Sequence, residues 1–270
     1  MPIELFVLVG LGMVVGFFAG LLGIGGGGIM VPALTAFFLH QGHNPNQVVH
    51  MALATSLSCI IFNASISIHS HQKHQAILWP VVQRLAPFVV TGSVLASLLA
   101  VKLSSQTLAI VFALFMLLIA LQMLLNFKPE GVKQHIGSVK LSLSGFIIGF
   151  ISALMAIGGG SLTVPFLNWH QINIKKCIAT AAAVGLPIAL AGTATFVFTG
   201  MDEKGLELNN PSENTLGFVY WPATIALSLG AVITTPVGAH LTHRLPVQLL
   251  KKVFAALLVI LALKMYFSLS

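Results

Sequence analysis

Apolar residues run along this chain in long blocks, with polar positions confined to the gaps between them. No Asp, Glu, Lys or Arg occurs in 5–72, 141–174, 177–201 or 214–243. A helix needs about 20 apolar residues to span a bilayer, and each block holds at least one such length. The short alternating segments of a membrane β-barrel are absent. The pattern predicts helical segments at 5–39, 47–68, 80–101 and 107–126. It predicts them again at 141–169, 176–199, 218–240 and 249–268.

The two sets match because the sequence is duplicated. GFFAGLLGIGGGGIMVPAL (16–34) returns as GFISALMAIGGGSLTVPFL (149–167), identical at ten of nineteen positions. Ala54-Thr55 returns as Ala179-Thr180, Trp79-Pro80 as Trp221-Pro222, and the stretch from Lys102 to Met123 as that from Arg244 to Met265. The expected organisation is a repeat over 1–127, a cytoplasmic linker over 128–140 and a second repeat over 141–270.

Composition agrees. The chain is 57% hydrophobic and 7% charged, with mean hydropathy +0.97, too few charges to cover a soluble surface. The expected class is an all-α integral membrane protein. The apolar start is not a good signal peptide, since it has no basic n-region and carries Glu4. The net charge of +7 reads as basic residues flanking helices on the cytoplasmic side. No basic run with interleaved aromatics points to nucleic acid. Cys59 and Cys177 do not make a disulfide framework.

The basic residues also bear on topology. If the first segment of each half crosses once, they divide seven against six, which is no bias. If each first segment is a hairpin returning to its own side, with both termini outside, ten fall inside and three outside. The positive-inside rule favours the hairpin. Each half then holds a glycine-broken helical hairpin plus three transmembrane helices, and the halves are inverted repeats. Matched broken segments point to a transporter's binding site, because broken helices at membrane depth line a cavity or are buried in protein.

The glycine turns suggest the chemistry. Past each turn a helix starts, near Gly28–Ile29 and near Ser161–Leu162. Its first N–H groups lack intrahelical partners and carry the positive end of the helix dipole, which favours an anion. Two such starts could hold one small oxyanion with no Lys or Arg. The candidate binding residues are Gly25, Gly26, Gly27, Gly28, Thr55, Ser56, Gly158, Gly159, Gly160, Ser161 and Thr180. Ser161 stands where an N-cap hydroxyl would. Thr55, Cys59 and Asn63 share one face of their helix, with Ser56 beside it. Ser and Thr in membranes also bond their own helix or glue neighbours, so packing is the competing role. Gly12, Gly16, Gly20, Gly145 and Gly149 read as packing positions, and Gly16→Ala is expected to be milder for transport than Gly26→Val or Gly159→Val.

Other features bound the function. His69, His71 and His74 read as a solvated basic loop rather than a metal site. All six acids lie in loops or at the N-terminus, so no intramembrane carboxylate serves a cation or a proton relay. A coupling proton would need a His or the substrate itself. No H-E-x-x-H, G-x-S-x-G or core acid pair suggests an enzyme, and no cofactor is implied.

The duplicated G-F-x-x-x-L-x-x-I-G-G-G-x-x-x-V-P-x-L, with its following A-T pairs, resembles the TauE/SafE sulfite exporter family over essentially the whole chain. Gly25–Gly28, Pro32, Gly158–Gly160 and Pro165 carry the motif, and Ser161 replaces the fourth glycine. The resemblance implies a secondary transporter that exports sulfite or organosulfonates across a prokaryotic plasma (inner) membrane. A passive small-anion channel and a soft-metal permease are the alternatives.

Overall fold

The computed structural model describes residues 2–22, 26–125, 138–202, 214–241 and 247–268. The first half holds α1 (Pro2–Leu22), α2 (Gly27–His40), α3 (Val48–Lys73), α4 (Trp79–Lys102) and α5 (Ser105–Leu124). The second holds α6 (Ser138–Leu154), α7 (Gly160–Trp169), α8 (Ile174–Asp202), α9 (Trp221–Leu241) and α10 (Val247–Ser268). A short antiparallel pair, β1 (Thr215–Leu216) and β2 (Val219–Tyr220), leads into α9. Thus the 218–240 segment begins in β2 rather than in helix. The linker expected at 128–140 lies mostly outside the described residues, and α6 already begins at Ser138.

Helix limits follow local chemistry. Pro80 lies in the first turn of α4, where a missing N–H costs nothing. The Ser104 hydroxyl caps α5 by accepting from the Thr107 N–H, satisfying one orphan donor. The helices at 48–73, 79–102, 105–122, 174–201 and 221–238 are long and apolar enough to cross a membrane, five among the described residues. Of these α3 is the most enclosed.

The halves interlock through the first helix of each and the fourth helix of the other. A Cβ on Gly12 would overlap the Leu227 backbone, and one on Gly16 the Ala231 backbone. The order of these contacts makes α1 and α9 parallel. Likewise Gly145 lies against Leu85 and Phe88, and Gly149 against the Val89 backbone, so α6 and α4 are parallel. Small residues let membrane helices approach closely without a hydrophobic driving force. The packing role expected of these four glycines is thus what the structure shows. A Cβ at Gly16 would meet backbone that cannot swing aside, so Gly16→Ala carries a packing cost of its own.

The third helices, α3 and α8, also touch, and here direction matters. Near the start of α3 the His50 ring packs on Phe218, which packs on Phe196 near the end of α8. Just beyond the other end of α3, the Leu78 N–H bonds Thr180, near the start of α8. Hence α3 and α8 run antiparallel. α1 and α2 form a hairpin, since Gln41 Nε2 at the end of α2 donates to Glu4 Oε2 near the start of α1 at 3.5 Å.

Candidate functional site

The glycine runs break the helices where the sequence placed the breaks. Gly26 is the N-cap of α2, with φ 71° and ψ −14°. Gly159 is the N-cap of α7, with φ 79° and ψ −18°. Both are left-handed, a region open to glycine at little cost. The Gly26 carbonyl accepts from the Ile29 and Met30 N–H groups, and the Gly159 carbonyl from those of Leu162 and Thr163. The helices therefore begin at Gly27 and Gly160, slightly earlier than expected. The N-cap of α7 is Gly159 and not Ser161, because the left-handed residue falls at the glycine. Gly25 lies outside the described residues.

The two turns meet. A Cβ on Gly27 would overlap the Ala156 carbonyl and crowd Ile157. That carbonyl accepts a hydrogen bond from Ser56 Oγ at 3.2 Å. Ala156 holds φ 49°, an unfavourable conformation for a side chain with a Cβ, and its first-half counterpart is Gly23. Gly158 rests against Ile60, and its carbonyl against Gly185. Gly28 faces Met116 and Leu258, so the start of α2 is walled by apolar groups.

The start of α7 is more polar. Ser161 and Thr163 replace Gly28 and Met30 of the first copy. Both hydroxyls are buried without a hydrogen-bond partner, and Thr163 is fully buried. Thr163 was missed in the sequence, although its signal was there: a polar residue where the first copy keeps methionine. Pro32 and Pro165 lack the N–H that would bond the carbonyl four residues earlier, which frees the Gly28 and Ser161 carbonyls.

Thr55 and Thr180 occupy equivalent places, each tied to the other half. Thr55 Oγ1 accepts from the Tyr220 N–H, and Thr180 Oγ1 from the Leu78 N–H, both at 3.1 Å. Tyr220 and Leu78 immediately precede the Trp-Pro pairs that open α9 and α4. Each threonine thus holds the start of the other half's fourth helix.

The remaining sequence candidates fall elsewhere. His69 and His71 lie in the last turns of α3 and His74 is its C-cap, so this stretch is mostly helix rather than loop. No cluster of metal-ligating side chains occurs among the described residues. His50 is buried and bonds through Nε2 to the Ala100 and Leu103 carbonyls at 3.1 and 3.0 Å. His43 lies between Phe38 and Tyr220, and burial holds its imidazole below the ordinary 6.5.

A family model described as "Sulfite exporter TauE/SafE" matches residues 8–265. A "Probable membrane transporter protein" of Haemophilus influenzae is 32% identical over 258 residues, covering 94% of this chain and 95% of that protein. A protein of the same description from Methanocaldococcus jannaschii is 26% identical over 260 residues, covering 96% and 94%. One from Bacillus subtilis is 24% identical over 288 residues, covering 97% of each. No solved structure matches the chain.

Proposed function

The chain belongs to the sulfite exporter TauE/SafE family and is a multi-pass membrane transporter, and from that premise we propose that it exports small sulfur-containing anions, sulfite or organosulfonates, by alternating access across a prokaryotic plasma membrane. The observation that carries this reading is the meeting of the two glycine turns at Gly27 and Ala156. The start of α2 packs on this turn and α7 begins four residues after Ala156, so both helix N-termini lie near the meeting, and aligned backbone N–H groups favour an anion.

In this mechanism the substrate binds at Gly25–Gly28 and Gly158–Gly160. The free hydroxyls of Ser161 and Thr163 donate to its oxygens. Ser56 holds the Ala156 carbonyl away from the anion. Thr55 and Thr180 anchor the starts of α9 and α4 around the site. The antiparallel course of α3 and α8 and the α1–α2 hairpin support an inverted repeat, with both termini outside and the 128–140 linker in the cytoplasm. Rocking one repeat against the other then opens the site to either face. A coupling proton would travel on the substrate or a histidine.

The test is a stability screen of purified protein against sulfite, sulfate, thiosulfate, sulfoacetate and taurine, since a bound ligand raises apparent stability by mass action. A rise with sulfite or an organosulfonate supports the reading. No rise with any of the five contradicts it.

A further inference from the structure

Asn63 lies midway along α3, 8% exposed, and neither its amide nitrogen nor its amide oxygen has a hydrogen-bond partner. Leaving a buried polar group unpaired is costly, and native structures keep few such groups without a reason. Inside a bilayer polar residues are expensive and tend to mark pathways.

Its surroundings are specific. Thr55 meets Tyr220, and Ser58 bonds Thr224 at 2.7 Å, so α3 and α9 run parallel. That register brings Ser228 alongside the turn from Cys59 to Asn63. The Ser228 hydroxyl is also buried and lies beside the Cys59 thiol. The Cys59 thiol donates to the Thr224 carbonyl at 3.7 Å. On α3, Asn63 shares its face with Ser56 and Ile60, which touch Ala156 and Gly158. The amide thus lies one helical turn beyond the meeting of the glycine turns. α7 and α9 carry no Asp, Glu, Lys or Arg, and α3 only Lys73 at its end.

We propose that Asn63, with Ser228 beside it, forms a subsite that selects anions carrying a proton on oxygen. The proposal rests on the transport reading and narrows its substrate to hydrogensulfite, because a sulfonate group carries no proton on oxygen near neutral pH. Nδ2 donates to an anion oxygen. Oδ1 can only accept, so it needs a partner that brings a hydrogen. A protonated monoanion such as hydrogensulfite offers both. Fully ionised sulfate offers no proton, and Oδ1 repels it, which is discrimination by a mismatched group.

The experiment is calorimetric titration of the purified protein with sulfite and with sulfate at mildly acidic pH, in wild type, Asn63→Leu and Ser228→Ala. Asn63→Leu should weaken sulfite binding by about tenfold or more and narrow the preference over sulfate. Ser228→Ala should move both readings the same way by less. The thermal midpoint of unliganded Asn63→Leu should be unchanged or higher, because leucine has the same branched shape and removes two orphan polar atoms. A lowered midpoint with sulfite affinity intact in both variants would mean a structural role and overturn the subsite. Equal binding by wild type and both variants would overturn the subsite alone. A wild type that binds none of the sulfur anions would overturn the transport reading beneath it.

Discussion

Gln41 Nε2 donates to Glu4 Oε2 at 3.5 Å, so α2 ends on the side where α1 begins. The first segment is a hairpin and the chain after it, at Asn44, stays with the N-terminus. Gln75, between α3 and α4, then lies on the opposite face. In a background lacking Cys59 and Cys177, a cysteine at Asn44 should react with an impermeant thiol reagent applied outside, and one at Gln75 should not. The reverse pattern would invert the proposed orientation. Labelling of both from outside would break the hairpin.

The paired threonines make a second prediction. Thr55→Val and Thr180→Val each leave a backbone N–H, of Tyr220 or Leu78, without its acceptor. Each should cost about 1–3 kcal/mol of stability. Thr55→Ser and Thr180→Ser keep the hydroxyl and should stay near wild type. Denaturation in detergent measures both. Valine variants as stable as wild type would show that these bonds do not hold the halves together.

The glycines can be graded by what a methyl group would meet. At Gly10 there is nothing within 4 Å, and alanine there should be silent. Gly16→Ala would push on the Ala231 backbone and should lower stability clearly. Gly26→Ala forces a side chain into φ 71° beside Val15, and should disturb the turn more than the bundle. Thermal midpoints and membrane yields for the three should rank in the order Gly10, then Gly26 and Gly16. A destabilised Gly10→Ala would contradict this packing.

The reach of the sequence can be judged from these residues. The breaks at Gly26 and Gly159 were legible because runs of glycine have no better use in an apolar segment. Helix limits were legible to a few residues because charge and proline cluster at the ends. The Thr55/Thr180 equivalence was legible too, but its partners were not. Tyr220 and Leu78 are over 100 residues distant, and a backbone donor leaves no mark in side-chain identity. The severity of Gly16→Ala was hidden for the same reason, since spacing shows that helices approach but not how near the opposing backbone comes. Ser161 was misplaced as a cap because hydroxyls usually cap helices, whereas here the left-handed residue must be the glycine before them.

His43 gives a pH dependence. Its pKa in the folded protein is lowered from 6.5 by burial, so the unfolded chain binds the proton more readily. Its contribution to stability is present above pH 6.5 and is lost as pH falls from there through the lower folded value. Part of the acid loss in thermal midpoint should vanish in His43→Phe, which keeps the ring against Phe38 and Tyr220. An identical pH profile in wild type and variant would contradict this assignment.

The most direct test of the central claim is sulfite flux into proteoliposomes carrying wild type or Gly159→Ala. Alanine at φ 79° would strain the start of α7 and press on Ile188, at the turn proposed to hold the anion. Wild type should give saturable flux well above protein-free vesicles. Gly159→Ala, reconstituted in equal amount, should lose it. Flux in wild type no greater than in empty vesicles, or undiminished flux in Gly159→Ala, would contradict the account.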